Sequence, residues 1–302
     1  MKKLAIVIPA YKSTYLDQTI ESISAQTSNE FTLYIGDDSS PYDIKSIVDK
    51  YADRIDLHYT RFDTNLGGKD LVAQWERCID LTQGEPWIWL FSDDDLMHPK
   101  CVETVLKQID SNYDESLYRF NVNIIDSNNK VLRKVQFPPK LSCENFYKNH
   151  INGNICSFVV EFVFNRKQFY EKGGFQNFDL AWGSDVVTWL KLSKEKGILT
   201  LSEGDVFWRA SGENITTIEN EIIIGRKLKS SIAVYSYYSK FWGNKYHYRN
   251  LFALIRVLWG YRRYLPLKKI LTEISSYSKE NKLDIFILKL GLFLGPRIIY
   301  KK

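Results

Sequence analysis

A chain of 302 residues, 44% apolar and 15% aromatic, can bury the core of one large α/β domain with additions, and it carries no repeat and no low-complexity segment. Its four cysteines (Cys78, Cys101, Cys143, Cys156) lack CxxC spacing and its four histidines lack HExxH, which argues against structural zinc and gives a disulfide framework no support; a reduced, cytosolic setting follows. The net charge of +5 hides an asymmetry: residues 220–302 hold 17 Lys and Arg against 4 Asp and Glu, so an acidic body precedes a basic tail.

In chain order, "MKKLAIVIPAYKS" has a short apolar run interrupted by Pro9, with no small-residue cleavage site, and reads as a first strand rather than a signal peptide. Helix over 14–26 follows, with Leu16, Ile20 and Ile23 at helical spacing, then strand over 31–40. The pattern continues with helix over 43–54, strand over 56–62, helix over 69–84 ending at Gly84, and a fourth strand, "PWIWLFS". Near-continuous apolar strands alternating with helices predict a mostly parallel sheet covered on both faces. In such sheets ligands bind beyond the carboxyl ends of the strands. "PAYK", "GDDSS" and "SDDD" all fall at those ends and point to a nucleotide site.

A helix is expected from near Pro99, then a hairpin of "SLYRFNVNIID" and "KVLRKVQF" joined by "SNN". Residues 156–175 read as strand then helix closed by Gly173. Residues 183–197 read as a helix opened by Ser184 or Asp185 and closed by Gly197. "ILTLSEGDVFWRASGEN" returns to strand and loop, and everything from 220 onward is helical, basic and aromatic. The domain division expected is 1–219, in halves 1–98 and 99–219, followed by a helical extension over 220–302.

The order "VIPAYK" (7–12), "DDSS" (37–40), "NLGG" (65–68), "FSDDDLMHP" (91–99), "GSD" (183–185) and "WRASGENIT" (208–216) resembles the family 2 glycosyltransferases of the GT-A fold, over roughly residues 3–216. The resemblance implies an inverting enzyme that moves a sugar from a nucleoside diphosphate, UDP above all, to a hydroxyl on a glycan or lipid-linked acceptor. Residues 1–98 would then be the nucleotide-binding half and 99–219 the acceptor half.

A sugar diphosphate needs its leaving group neutralised, and a hard divalent ion held by carboxylates does this. The resemblance selects Asp94 as the main ligand of Mg²⁺ or Mn²⁺, with Asp95 beside it and Ser92 standing where the family's first acid would be. Alternation along a strand would send Asp94 to one side and Asp93 and Asp95 to the other. Asp38, with Asp37, would accept from the base's ring N–H, since a carboxylate offers only acceptors. Pro9, Ala10 and Tyr11 would line the base pocket, and Asp93 would join the nucleotide contacts. Asn65, Gly67 and Lys69 of "NLGGKD" would form a loop beside the diphosphate, its glycines permitting close backbone approach.

For the proton, the resemblance points to Asp185, preceded by Ser184 in place of the usual acid. Trp182 and Trp189 flank it, where aromatic rings would pack on sugar faces, while Arg209 and Asn214 would contact substrate. A sugar nucleotidyltransferase is the enzymatic alternative, but "PAYKSTYLDQ" lacks the Gly-rich basic loop that it needs. A non-catalytic nucleotide-sugar-binding protein is the other. The tail mixes large apolar residues with Lys and Arg in runs shorter than a spanning helix requires. It reads as an interfacial element at the inner face of the cytoplasmic membrane, or as helices that pack on the body or form a homodimer. No recognised RNA or DNA motif accompanies it.

Overall fold

The apolar run at the N-terminus forms β1 (Leu4–Ala10), buried throughout except at Pro9. Its side chains alternate between two cores: Ala5 and Val7 join one, Leu4, Ile6 and Ile8 the other. Both faces of the strand are therefore covered, as its unbroken apolar sequence requires. The structure, a computed structural model, describes residues 2–111, 115–275 and 282–295.

β1 pairs in parallel with β2 (Phe31–Asp37) and with β4 (Trp87–Leu90), and β2 with β3 (Leu57–Arg61). The crossovers are α1 (Leu16–Ser24), α2 (Ile44–Val48) and α3 (Leu71–Ile79). α1 buries Leu16, Ile20 and Ile23, the stripe its spacing foretells. α3 opens on Asp70, whose carboxylate accepts from Ala73 N. It closes at Ile79 rather than Gly84, because Leu81 and Thr82 donate to carbonyls three residues back and tighten the chain out of the α-helix.

Past the acidic turn come β5 (Leu96–Met97), α4 (Cys101–Ser111) and the antiparallel hairpin of β6 (Leu117–Ile125) with β7 (Val131–Val135). Next are β8 (Lys140–Leu141), α5 (Cys143–Ile151), β9 (Phe162–Asn165), α6 (Arg166–Glu171), α7 (Ser184–Ser193) and β10 (Ile198–Arg209). The sheet order is β3-β2-β1-β4-β9-β6-β10-β5, with β7 on β6 and β8 on β10. It is parallel where strands and helices alternate; β9 then enters antiparallel between β4 and β6 and makes the far half mixed.

Among the described residues four α-helices follow: α8 (Glu221–Trp242), α9 (His247–Tyr261), α10 (Leu267–Ile274) and α11 (Lys282–Leu294). Leu228 and Ile232 of α8 and Leu254 and Leu258 of α9 share a core cluster with Phe162 and Trp189. The inner faces of these helices are thus continuous with the body. Among the described residues no helix is long and apolar enough to cross a membrane.

Candidate active site

The carboxyl ends of β1, β2 and β4 lie side by side, and the motif residues meet there. Both acids of "GDDSS" are buried. Asp37 accepts from Ser40 N at 2.8 Å, Tyr59 OH at 2.6 Å and Arg61 NH1 at 2.6 Å. Asp38 accepts from Leu66 N at 2.7 Å, Gly67 N at 2.8 Å and Asn65 Nδ2 at 3.0 Å, and also from Arg77. Asp38 therefore shapes the "NLGG" loop. A Cβ on Gly67 would stand 2.7 Å from its Oδ2, so glycine is needed there for close approach. Lys69 is exposed on this loop, and Tyr11 is 42% exposed at the end of β1. Arg77 and Arg61 escaped the sequence reading. Arg77 follows the cap Asp70 by two helical turns and so rises on the same face as the loop, a signal the periodicity carried.

The three aspartates diverge. Asp93 Oδ2 accepts from the backbone N–H groups of Tyr11 at 3.0 Å and Lys12 at 2.8 Å. Asp94 Oδ2 takes Lys12 Nζ at 2.9 Å, with Ser211 Oγ at 3.4 Å. Lys12 Nζ also lies 3.7 Å from Asp93, so those two acids converge on one ammonium. Asp95 turns to β10 and accepts from Arg209 N at 2.7 Å. The expected pairing of Asp93 with Asp95 fails because β4 ends at Leu90 and the acids lie in a turn, where two-residue alternation no longer holds. None of the three caps α4. Burial raises the carboxyls of Asp93 and Asp95 above their ordinary range.

Arg209 lies behind the acidic turn. It is fully buried, donating to Asp94 O at 2.7 Å and to Asn129 Oδ1 at 2.6 Å, with its guanidinium 4.1 Å over the Tyr15 ring. Its charge is enclosed by protein, and it holds the backbone of Asp94. Asn214 donates to Arg209 O at 2.7 Å and ties the following loop to the same point.

Among the described residues no group of three or more His, Cys, Asp and Glu side chains is placed to hold a metal ion. Of the three acids Asp94 is the one engaged by side chains, Lys12 and Ser211, rather than by backbone N–H groups, and a hard ion held by it would take the rest of its oxygen shell from a diphosphate and water. That donor set fits Mg²⁺ or Mn²⁺ bound in a shared way.

Asp185 stands at the start of α7, beside a cavity of about 990 Å³ that reaches Ser92 at the acidic turn. Burial pushes its carboxyl up to about 6, against the opposing pull of its own and Val186's N–H groups. The helix cap is Gly183, at φ 88°, and not Ser184 or Asp185. Ser184 is fully buried and accepts from Phe178 N at 3.1 Å, which leaves the next residue to face the cavity. Leu180 and Ala181 also have positive φ, 61° and 52°, so the segment leading to Asp185 is held in a strained shape by its neighbours. α8 supplies the hold: Arg226 pairs with Asp179, and Ser230 Oγ donates to Asp179 O at 2.8 Å. Trp182 Nε1 donates to Ser231 Oγ at 3.1 Å, and Lys227 Nζ lies 4.9 Å over its ring. Gly183→Ala is expected to cost about 1–3 kcal/mol in denaturant unfolding, since its Cβ would fall 2.7 Å from Val234 Cγ2 in a backbone region alanine avoids.

Behind Asp185 lies a fully buried ion pair, Arg119 with Glu161, its guanidinium 3.2 Å from the Phe137 ring centroid. Burial holds Glu161 up at about 7 despite the pull of Arg119, and the charge of Asp185 adds to the rise.

The family model described as Glycosyl transferase family 2 matches residues 5–172. The poly(ribitol-phosphate) β-N-acetylglucosaminyltransferase TarS of Staphylococcus aureus is 28% identical over 121 residues, 39% of this chain and 20% of that protein. The chain therefore matches about a fifth of that relative's length. An uncharacterized glycosyltransferase of Methanocaldococcus jannaschii is 24% identical over 258 residues, 82% of each chain. The crystal structure of S. aureus TarS 1–349 in complex with UDP-GlcNAc superposes with a TM-score of 0.61 at 13% identity, covering 97% of this chain and 92% of that one. The UDP complex gives 0.58 at 14% identity with the same coverage. The shared architecture is GT-A.

Proposed function

The chain belongs to glycosyl transferase family 2, and from that premise we propose that it transfers a sugar, with inversion, from a UDP-sugar to an acceptor hydroxyl on a glycan or lipid-linked intermediate. The observation that carries this reading is the cavity continuous from Ser92, next to the acidic turn, to Asp185. A donor held at the acidic turn and the half-buried carboxylate of Asp185 would then share one space.

In the reaction the acceptor oxygen forms a bond to the anomeric carbon as the bond from that carbon to the diphosphate oxygen breaks. The diphosphate leaves with the electron pair, and the hydroxyl proton passes to the carboxylate of Asp185. A carboxyl held near 6 is ionised at neutral pH and still basic enough to serve. Trp182, steadied by Ser231 and Lys227, offers an aromatic face to a sugar ring. Lys12 brings a positive charge to the end of β1 where the phosphates would lie. Asp94 would hold a divalent ion, which when bound neutralises the departing diphosphate. Asp38 and Asn65 preshape the loop that would flank it, and the exposed Lys69 would meet a phosphate. Pro9, Ala10 and Tyr11 would border the base. The TarS complexes with UDP and UDP-GlcNAc make a UDP-sugar the first donor to try.

UDP with Mn²⁺ is expected to raise the melting temperature by several degrees, since ligand at a hundredfold excess over Kd adds about 2.7 kcal/mol to stability. Turnover is read by screening UDP-sugars for hydrolysis. No thermal shift with any nucleoside diphosphate, and no hydrolysis of any sugar donor, would remove the reading.

A further inference from the structure

α11 has two unlike faces. Leu288 and Leu292 are fully buried, and a Cβ on Gly291 would fall 2.5 Å from Ile255 of α9, so one side is seated on the protein. On the other side Phe286 is 61% exposed, Leu290 43%, Phe293 63% and Leu294 48%. Positions 286, 290, 293 and 294 recur at helical spacing and form one stripe. Water gains nothing from such a row, and monomers seldom present one without a use for it.

Charge identifies the occupant. Lys268 of α10 and Lys289 of α11 line one crevice between these helices, and neither is in an ion pair among the described residues. A second copy would bring the same cations against themselves. The stripe is also small, on the order of 300–400 Å² against the ~800 Å² per partner of a standard interface. An anionic bilayer answers both features, taking the apolar row into its acyl boundary and the lysines at its headgroups. We propose that the outer face of α11 docks the protein on an anionic lipid surface. The proposal stands apart from the transfer chemistry, so failure of one leaves the other intact.

The test is flotation of the full chain with vesicles of phosphatidylcholine, with and without phosphatidylglycerol. The wild type is expected to float with the anionic vesicles, less so at raised salt. Phe286→Asp with Phe293→Asp should cut the bound fraction tenfold or more, as burial of each ring is lost. Circular dichroism and the melting temperature of the apoprotein report whether that variant folds. Lys268→Glu with Lys289→Glu leaves the apolar row intact and should weaken binding about tenfold at low salt. Binding that ignores vesicle charge, or no binding by the wild type, overturns the proposal. So does a wild-type dimer in sedimentation that the phenylalanine variant dissolves, because the face would then join two copies.

Discussion

Asp185→Asn is expected to lower transfer by about 10²–10⁴-fold while UDP binding is retained. Asparagine has nearly the same shape, so the start of α7 and the cavity wall remain, but the amide cannot take the acceptor's proton. The pH profile supplies the sharper test. Burial raises the Asp185 carboxyl to about 6, so the wild-type rate should fall as pH drops through about 6 and level off above it. In the variant that limb should disappear from whatever activity remains. Stability should move the other way. A carboxyl whose folded pKa lies above its unfolded one binds its proton more tightly when folded, so the fold loses stability as pH rises from about 4 through 6. Removing the charge should therefore stabilise the fold at pH 8 by about 1 kcal/mol or more, read in denaturant unfolding. Glu161, held near 7 in the next layer, serves as the control: Glu161→Gln should keep an acid limb near 6. Wild-type turnover in Asp185→Asn would take this residue out of the mechanism.

The strands and crossovers of residues 4–90 were legible because each is set locally, by apolar runs and by stripes such as Leu16, Ile20 and Ile23. The places of the acids were legible too, since they end strands. What each acid touches was not. Asp38 meets Arg77 across 39 residues and Asp95 meets Arg209 across 114, and no local pattern encodes such pairs. The same distance hid the part played by Arg209, whose neighbours come from Tyr15, Asp94 and Asn129. Gly183 as the cap of α7 was also hidden, because Ser184 and Asp185 are both good caps and only the φ of Gly183 decides between them. In the basic tail, composition fitted membrane, dimer and packing alike. Tertiary contacts divide it: α8 and α9 enclose the loop before Asp185, and the outer side of α11 remains apolar and exposed.

Asp94→Ala is expected to cost about 10³-fold in transfer, the several kcal/mol that neutralising a departing diphosphate is worth. The reason to single it out lies in its neighbours. Asp93 is engaged by the N–H groups of Tyr11 and Lys12, and Asp95 by that of Arg209, so changing either should first disturb the fold. Asp95→Ala would leave the buried Arg209 N–H without an acceptor and lower the stability of the apoprotein by about 1–3 kcal/mol. Asp94 instead contacts a lysine ammonium and a serine hydroxyl, and Lys12 keeps Asp93 as a partner when Asp94 is gone. The apoprotein of Asp94→Ala should therefore melt close to the wild type. What it should lose is the increment that Mn²⁺ adds to the thermal shift produced by UDP. That increment must also vanish from the wild type on treatment with EDTA and return with Mn²⁺. If Asp94→Ala keeps the increment, the ion is held elsewhere; if EDTA leaves wild-type turnover untouched, Asp94 acts through Lys12 alone, and the charge that frees the diphosphate is the protein's own.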